Sequence, residues 1–237
     1  MRKNRHAGFS LVEMLIAMLM SMIIILGVAQ FLVTSTTNYE AADKQVDLQM
    51  EAQSTLNCIT DMILESNNVL YEKKSTGSGA PDTYIYIYEN LGMDVQTKGA
   101  DGNTYTVTAT KKTAKQKILW FDSDEEEVYL FICDSVADYE DAIGSHSNKN
   151  LLAEGVTDMT LFFGGVEMKS GDDYAKHLKD VSYGLREDNT VDSVKNEALE
   201  VRISLHSPMT ATSANKDVYT YEAKDAVAPR SEVVSLQ

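Results

Sequence analysis

The chain has 237 residues, a formal net charge of −15, 43% hydrophobic residues and two cysteines. Clustered Lys and Arg carry phosphate recognition, so a balance this acidic argues against direct nucleic-acid binding. Cys58 and Cys133 form no Cys-x-x-Cys pair, which excludes a zinc ribbon and a disulfide-dense scaffold and leaves apolar packing to hold the fold.

In chain order, a short basic leader comes first, with Arg2, Lys3 and Arg5 ahead of Gly8. An apolar run follows from Phe9 to Val33, and from Met14 onward only Ser21, Gly27 and Gln30 interrupt it. A bilayer takes about 20 such residues, so this run is long enough to span one. The next cation after the leader is Lys44. The excess of positive charge therefore places the leader in the cytoplasm and the rest of the chain outside the membrane. A cleaved secretory signal is the rival reading, with Val33-Thr34-Ser35 as a weak site, but its apolar core is usually about 7–15 residues. Glu13 lies inside the apolar segment with no cation near it in sequence. A carboxylate there costs roughly 2.5 kcal/mol or more unless it finds a partner or snorkels to the headgroups.

The six residues Gly8-Phe9-Ser10-Leu11-Val12-Glu13, between basic leader and apolar run, resemble the processing site of type IV prepilins and pseudopilins. The resemblance implies cleavage by prepilin peptidase between Gly8 and Phe9, N-methylation of Phe9, and an assembly role for Glu13. It implies as partners other pilin or pseudopilin subunits, an inner-membrane assembly platform and the lipid bilayer, and it implies no cofactor. The chemistry of the residues agrees. Residues four apart share a helix face, so an amine at Phe9 lies one turn from Glu13. In a neighbouring subunit, the same amine and carboxylate would fix axial register, and a paired charge in hydrocarbon is far cheaper than two separate ones.

The helix is predicted to continue past the membrane to about Ser66. Leu48, Ala52, Leu56, Ile59 and Ile63 form an apolar stripe, while Asp47, Glu51, Ser54, Asp61 and Glu65 fall largely on other faces. Residues 1–8 read as leader, 9–33 as membrane or filament-core helix, 34–66 as amphipathic helix and 67–237 as an exported β-rich domain. Lys73 to Pro81, rich in Ser and Gly, reads as the turn out of the helix. Strands are predicted over Thr83–Glu89, Tyr105–Thr110, Lys117–Asp122, Val128–Asp134, Val156–Phe163, Ala198–Ser207 and Val218–Ala223, with a tight turn at Asp101-Gly102-Asn103. Ala137–Asn150 and Lys169–Asn196 read as loops with room for short helical pieces. The whole is α+β: a long N-terminal helix packed on a mostly antiparallel sheet, as in pilins.

Chemistry elsewhere is sparse. No nucleophile elbow, His-Glu-x-x-His or phosphate-binding glycine loop occurs. His206 beside Pro208 reads as an exposed structural histidine. The acidic run Asp122 to Glu127 lacks the spaced ligands of a calcium loop and reads as a solvated hairpin tip, as does Gly171-Asp172-Asp173. Lys111, Lys112, Lys115 and Lys117 read as a solvated face. Cys58 on the helix and Cys133 in a strand are either one helix-to-sheet disulfide or two buried thiols. Leu151 to Val156 and the Val201-Arg202-Ile203 strand are loosely similar to larger minor pseudopilins. The absence of proline between Phe9 and Val33 departs from many major pilins. These features favour a minor pilin or pseudopilin of a type IV pilus, a type II secretion pseudopilus or a competence pseudopilus, acting at the tip or in priming, and not an enzyme. The alternative is a signal-anchored exported enzyme or binding module with a chance motif, for which the Tyr84, Tyr86, Tyr88 strand is the one hint of a ligand surface, although core or cross-strand packing explains those tyrosines more simply.

Overall fold

The computed structural model describes residues 10–75, 80–98, 103–176, 198–206 and 220–229. Helix α1 runs unbroken over Leu11–Leu64. It starts two residues later than expected because Ser10 caps it: the Ser10 hydroxyl accepts the Glu13 amide at 3.3 Å. That satisfies one of the orphan amides every helix start leaves. Ser10-x-x-Glu13 has the spacing of a capping box. Within the helix, hydroxyls fold back on the backbone, Ser21 donating to the Ala17 carbonyl at 2.8 Å and Thr36 to Val33 at 2.9 Å.

Two compact units share this helix, the first ending at Val46 and the second starting at Asp47. In the first, every large apolar side chain from Leu11 to Val33 is exposed. In the second, the stripe Leu48, Ala52, Leu56, Ile59 and Ile63 is buried, joined by Thr55 and Met62. The acidic residues on the remaining faces, Asp47, Glu51, Asp61 and Glu65, are exposed.

After the helix, the chain builds β1 (Asn68–Lys74), β2 (Asp82–Tyr88), β3 (Asp94–Lys98), β4 (Thr104–Thr108), β5 (Gln116–Asp122) and β6 (Glu127–Cys133). Helix α2 (Val136–Ile143), capped by Ser135, precedes β7 (Asn150–Ala153), β8 (Val156–Phe163), β9 (Val166–Glu167) and β10 (Asp172–Asp173). The last two strands are β11 (Leu199–His206) and β12 (Thr220–Val227). A six-stranded sheet has the order β10-β1-β2-β5-β6-β7, a four-stranded sheet the order β12-β11-β8-β9, and β3-β4 stand as a separate pair. All pairings among the described residues are antiparallel.

Strand β2 is buried along its whole length. Its Ile85 and Ile87 join the α1 stripe and the inner residues of β8 and β11 in one core. Tyr84, Tyr86 and Tyr88 point to the opposite face, into a second cluster with Trp120, Tyr129, Phe131 and Tyr139. The alternating Leu199, Val201, Ile203 and Leu205 of β11 are all buried in the first core, as their spacing predicts.

Several expectations need correction. Lys73 and Lys74 belong to β1, where the sequence suggests a turn: Lys73 bonds Glu167 at 3.3 Å and Lys74 lies 4.6 Å over the Tyr84 ring. Strands β1, β3, β7, β9 and β10 were not predicted; the Asp101-Gly102 half of the expected turn lies outside the described residues. Gly171-Asp172-Asp173 is no solvated tip, because Asp172 and Asp173 pair with Tyr71 and Leu70. Of the two readings left open for the cysteines, the structure shows free thiols. Cys58 packs against the helix-side core and Cys133 is buried in the cluster across the sheet, so the sheet separates two free thiols.

The stripe sets the stability of the second unit. Leu56→Ala is expected to destabilise it by about 2–5 kcal/mol. Asp61→Ala, on the exposed face, should change it by less than about 0.5 kcal/mol. Chemical denaturation of the two variants in detergent checks this, and equal effects would refute the packing assignment.

Candidate functional site: the N-terminal segment

Gly8 and Phe9 lie outside the described residues. Glu13 sits in the first turn of α1, exposed, where the helix dipole favours a carboxylate. Going up the helix, the next cation is Lys44, about 46 Å along the axis at 1.5 Å per residue. Leu11 to Val33 extends for about 34 Å, against a hydrocarbon core of about 30 Å. None of its apolar surface is buried within the chain. The segment therefore presents one acidic group near one end of a bilayer-length apolar rod. The sequence showed Glu13 and its spacing; it also carried, unread, the Ser10 cap that fixes where the helix starts.

The second unit offers few competing sites. Among the described residues, no group of three or more His, Cys, Asp or Glu side chains is placed to hold a metal. The lysines read as a solvated face are engaged by carboxylates. Lys111 meets Glu72 at 2.6 Å, Lys112 meets Glu140 at 3.7 Å, and Lys115 meets Asp134 at 3.2 Å. Lys117 bridges Glu89 and Glu65 at 3.0 and 3.2 Å. The tyrosines of β2 are interior, Tyr84 pushed up to about 12 chiefly by burial and Tyr86 and Tyr88 raised further for the same reason. Burial likewise pushes the Cys133 thiol up to about 12, away from thiolate chemistry.

The acidic tip is built rather than loose. Asp122 accepts the amides of Asp124 and Glu125 at 3.0 and 3.1 Å, Tyr129 donates to Glu125 at 2.8 Å and contacts Glu127, and Lys149 pairs with Glu125 at 3.5 Å. His206 corrects the sequence reading: it is half-buried and meets Glu126 at 3.1 Å. Its amide donates to the Gly155 carbonyl at 2.7 Å. Gly155 is held at φ +65, where a Cβ would come within 2.5 Å of the His206 carbonyl oxygen. The hairpin tip, the β7–β8 turn and the end of β11 thus meet at one junction.

A second histidine is also engaged. His146 stacks on Trp120 with ring centroids 4.1 Å apart, and its Nε2 lies 3.4 Å from the Tyr84 hydroxyl. Asp141 organises its loop by accepting from the Ser147 and Asn148 amides and the Ser145 and Ser147 hydroxyls. The two serine hydroxyls, first among these contacts, hold the Asp141 carboxyl below the usual carboxylate range.

Compared with known families, residues 3–29 match the prokaryotic N-terminal methylation motif, the prepilin-type motif. The comparison finds no match among curated proteins or solved structures. The motif match, with the apolar helix it heads, supports a type IV pilin-like or pseudopilin precursor and a membrane-anchored chain. It points to a structural subunit rather than an enzyme, and it implies prepilin peptidase processing and assembly with pilin subunits.

His146 generates a pH prediction. Burial, then Lys149, hold it below the ordinary histidine value, against the opposing pull of Asp141, Asp82 and Asp122. The unfolded chain then binds this proton more readily than the folded one. The stabilising contribution is complete above the unfolded value of about 6.5 and is lost as pH falls from there through the folded value. Melting temperature should fall between about pH 7.5 and 5.5, and His146→Gln should flatten the slope. An unchanged slope in the variant would contradict the assignment.

Proposed function

We propose that this chain is the precursor of a minor pilin or pseudopilin. Prepilin peptidase cuts between Gly8 and Phe9 and the new Phe9 amine is methylated. The leader stays cytoplasmic, and the second unit is exported. The observation that carries the reading is the methylation motif over residues 3–29, set at the head of an exposed apolar segment, Leu11 to Val33, whose single carboxylate is Glu13.

Glu13 supplies the assembly chemistry. In the bilayer it stands near the headgroup level of one face. On leaving the bilayer, the apolar half of the helix has to bury its surface against other helices. The Phe9 amine of a neighbouring subunit then meets Glu13 and neutralises it, which sets the axial register. The platform in the inner membrane moves the subunit from one environment to the other. The apolar segment without proline and the large β domain support a minor role at the tip or in priming. Burial of Tyr84, Tyr86 and Tyr88 withdraws the one hint of an exposed binding strand. Type IV pilus, type II secretion pseudopilus and competence pseudopilus all suit this chemistry.

Intact mass and N-terminal sequencing after co-expression with a prepilin peptidase test the processing step. Wild type should begin at methylated Phe9 and Gly8→Ala should stay uncut. Glu13→Val should be cut normally yet be lost from sheared filaments while remaining in the membrane. An uncut wild type, or a cut near Ser35, would overturn the reading.

A further inference from the structure

Every sheet has edges, and among the described residues most edges are blunted in ways that prevent strand addition. Strands β9 and β10 are two residues long. Strand β12 carries Glu222, Lys224 and Asp225, and β7 is short and bulged against β6. Strand β3 is guarded by Asp94, at its start. Strand β4 is different: Thr104-Tyr105-Thr106-Val107-Thr108 has no charge, no proline and no bulge, and it is exposed along its whole length. Its residues are β-branched or aromatic, the types that favour strands. A two-stranded hairpin is at best marginally stable alone, so β3-β4 gains from further pairing.

The register shows which backbone groups face outward. Ala109 donates to Met93 at 2.8 Å, and the pairs step back through Val107–Val95 and Tyr105–Thr97. Hydrogen-bonded and non-bonded pairs alternate in an antiparallel ladder, so the amides and carbonyls of Thr104, Thr106 and Thr108 point away from β3.

We propose that β4 pairs antiparallel with β4 of a second copy of this chain, about a two-fold axis through Thr106. The sequence is complementary to itself about that residue. Thr106 faces Thr106, Thr104 faces Thr108, and Tyr105 faces Val107. The outward-facing residues form the hydrogen-bonded pairs, and the Tyr–Val contacts fall in the closer non-bonded pairs. Thr–Thr and aromatic–β-branched pairs are favourable across strands, and no like charges meet. The result is one four-stranded sheet, β3-β4 from each copy, with the guarded β3 strands outermost. A two-fold interface closes on itself and stops at two copies. Five residues of pairing are weak in dilute solution. Confinement to one bilayer raises the effective concentration, and that clause alone rests on the membrane reading above.

The test is oxidative cross-linking of the full chain in membranes, with diamide, in a Cys58→Ala, Cys133→Ala background. Thr106→Cys brings two thiols together at a Cα separation of about 5.5 Å, within disulfide reach. Gln96→Cys, its partner on β3, would sit about 14 Å from its own copy, three strand spacings apart. Thr106→Cys should give at least about tenfold more disulfide dimer than Gln96→Cys, a margin set by effective concentration. Thr104→Cys mixed with Thr108→Cys should cross-link, while neither should do so alone. Thr106→Lys, which opposes two ammonium groups on the axis, should abolish cross-linking between Thr104→Cys and Thr108→Cys. Equal cross-linking at 106 and 96, or Thr104→Cys pairing with itself as readily, would mean random collision and overturn the proposal. Thr106→Cys cross-linking only to a different co-expressed subunit would overturn it in favour of a heterologous strand. Melting temperature and membrane fractionation of each variant separate these outcomes from misfolding and from failure of the anchor.

Discussion

The constraint on which the structure depends is that one uninterrupted helix serves two solvents. Up to Val33 its surface is apolar on all sides and suits hydrocarbon or the flanks of other helices. From Leu48 onward only one stripe is apolar, and that stripe closes the core of a folded domain. The chain meets both demands by changing side-chain pattern while keeping backbone geometry constant. Hydroxyls that must sit among apolar neighbours return their protons to carbonyls a turn away. This is the economical arrangement where water is absent.

The junction after the helix then fixes where the domain begins. Ser66, Asn67 and Asn68 are completely buried. The Asn67 side chain donates to the Leu91 carbonyl at 2.8 Å and accepts the Leu91 amide at 3.2 Å. Asn68 accepts from the Val69 and Ala175 amides at 2.8 and 3.2 Å. Buried amides tied at both ends specify a single geometry, because any other arrangement strands polar groups in the core. Strand β1 leaves this knot already in register with β2. The central strand can then be buried on both faces, isoleucines toward the helix and tyrosines away from it.

How far the sequence disclosed this differs by element. The α1 stripe and the β11 alternation were legible because each buries one face and exposes the other, so period reports structure directly. Strand β2 was legible as a strand, and core or cross-strand packing was already the simpler reading of its tyrosines, which the structure buries. Strand β1 was hidden because Asn67 and Asn68 resemble a helix stop and Lys73-Lys74 a turn. Their partners, Leu91, Ala175, Glu167 and Tyr84, are distant in sequence. His206 was misjudged for the same reason: Glu126 reaches it only once two hairpins have folded. The N-terminal methylation motif needed no tertiary context, since it is read from consecutive residues of the sequence. Edge status, by contrast, is a property of the finished sheet, and no local pattern announces that β4 has only β3 beside it among the described residues.

The stack of His146 on Trp120 has an optical consequence. Trp120 is the chain's single tryptophan. Its indole is buried and lies 4.1 Å from an imidazole whose loop is held by Asp141. A protonated imidazole quenches indole emission on contact, whereas a neutral one does so far less. Burial disfavours the cation in this seat, so the quenching form appears only on acidification, and the pH dependence of that one residue's emission reports His146 on the aromatic face of the sheet.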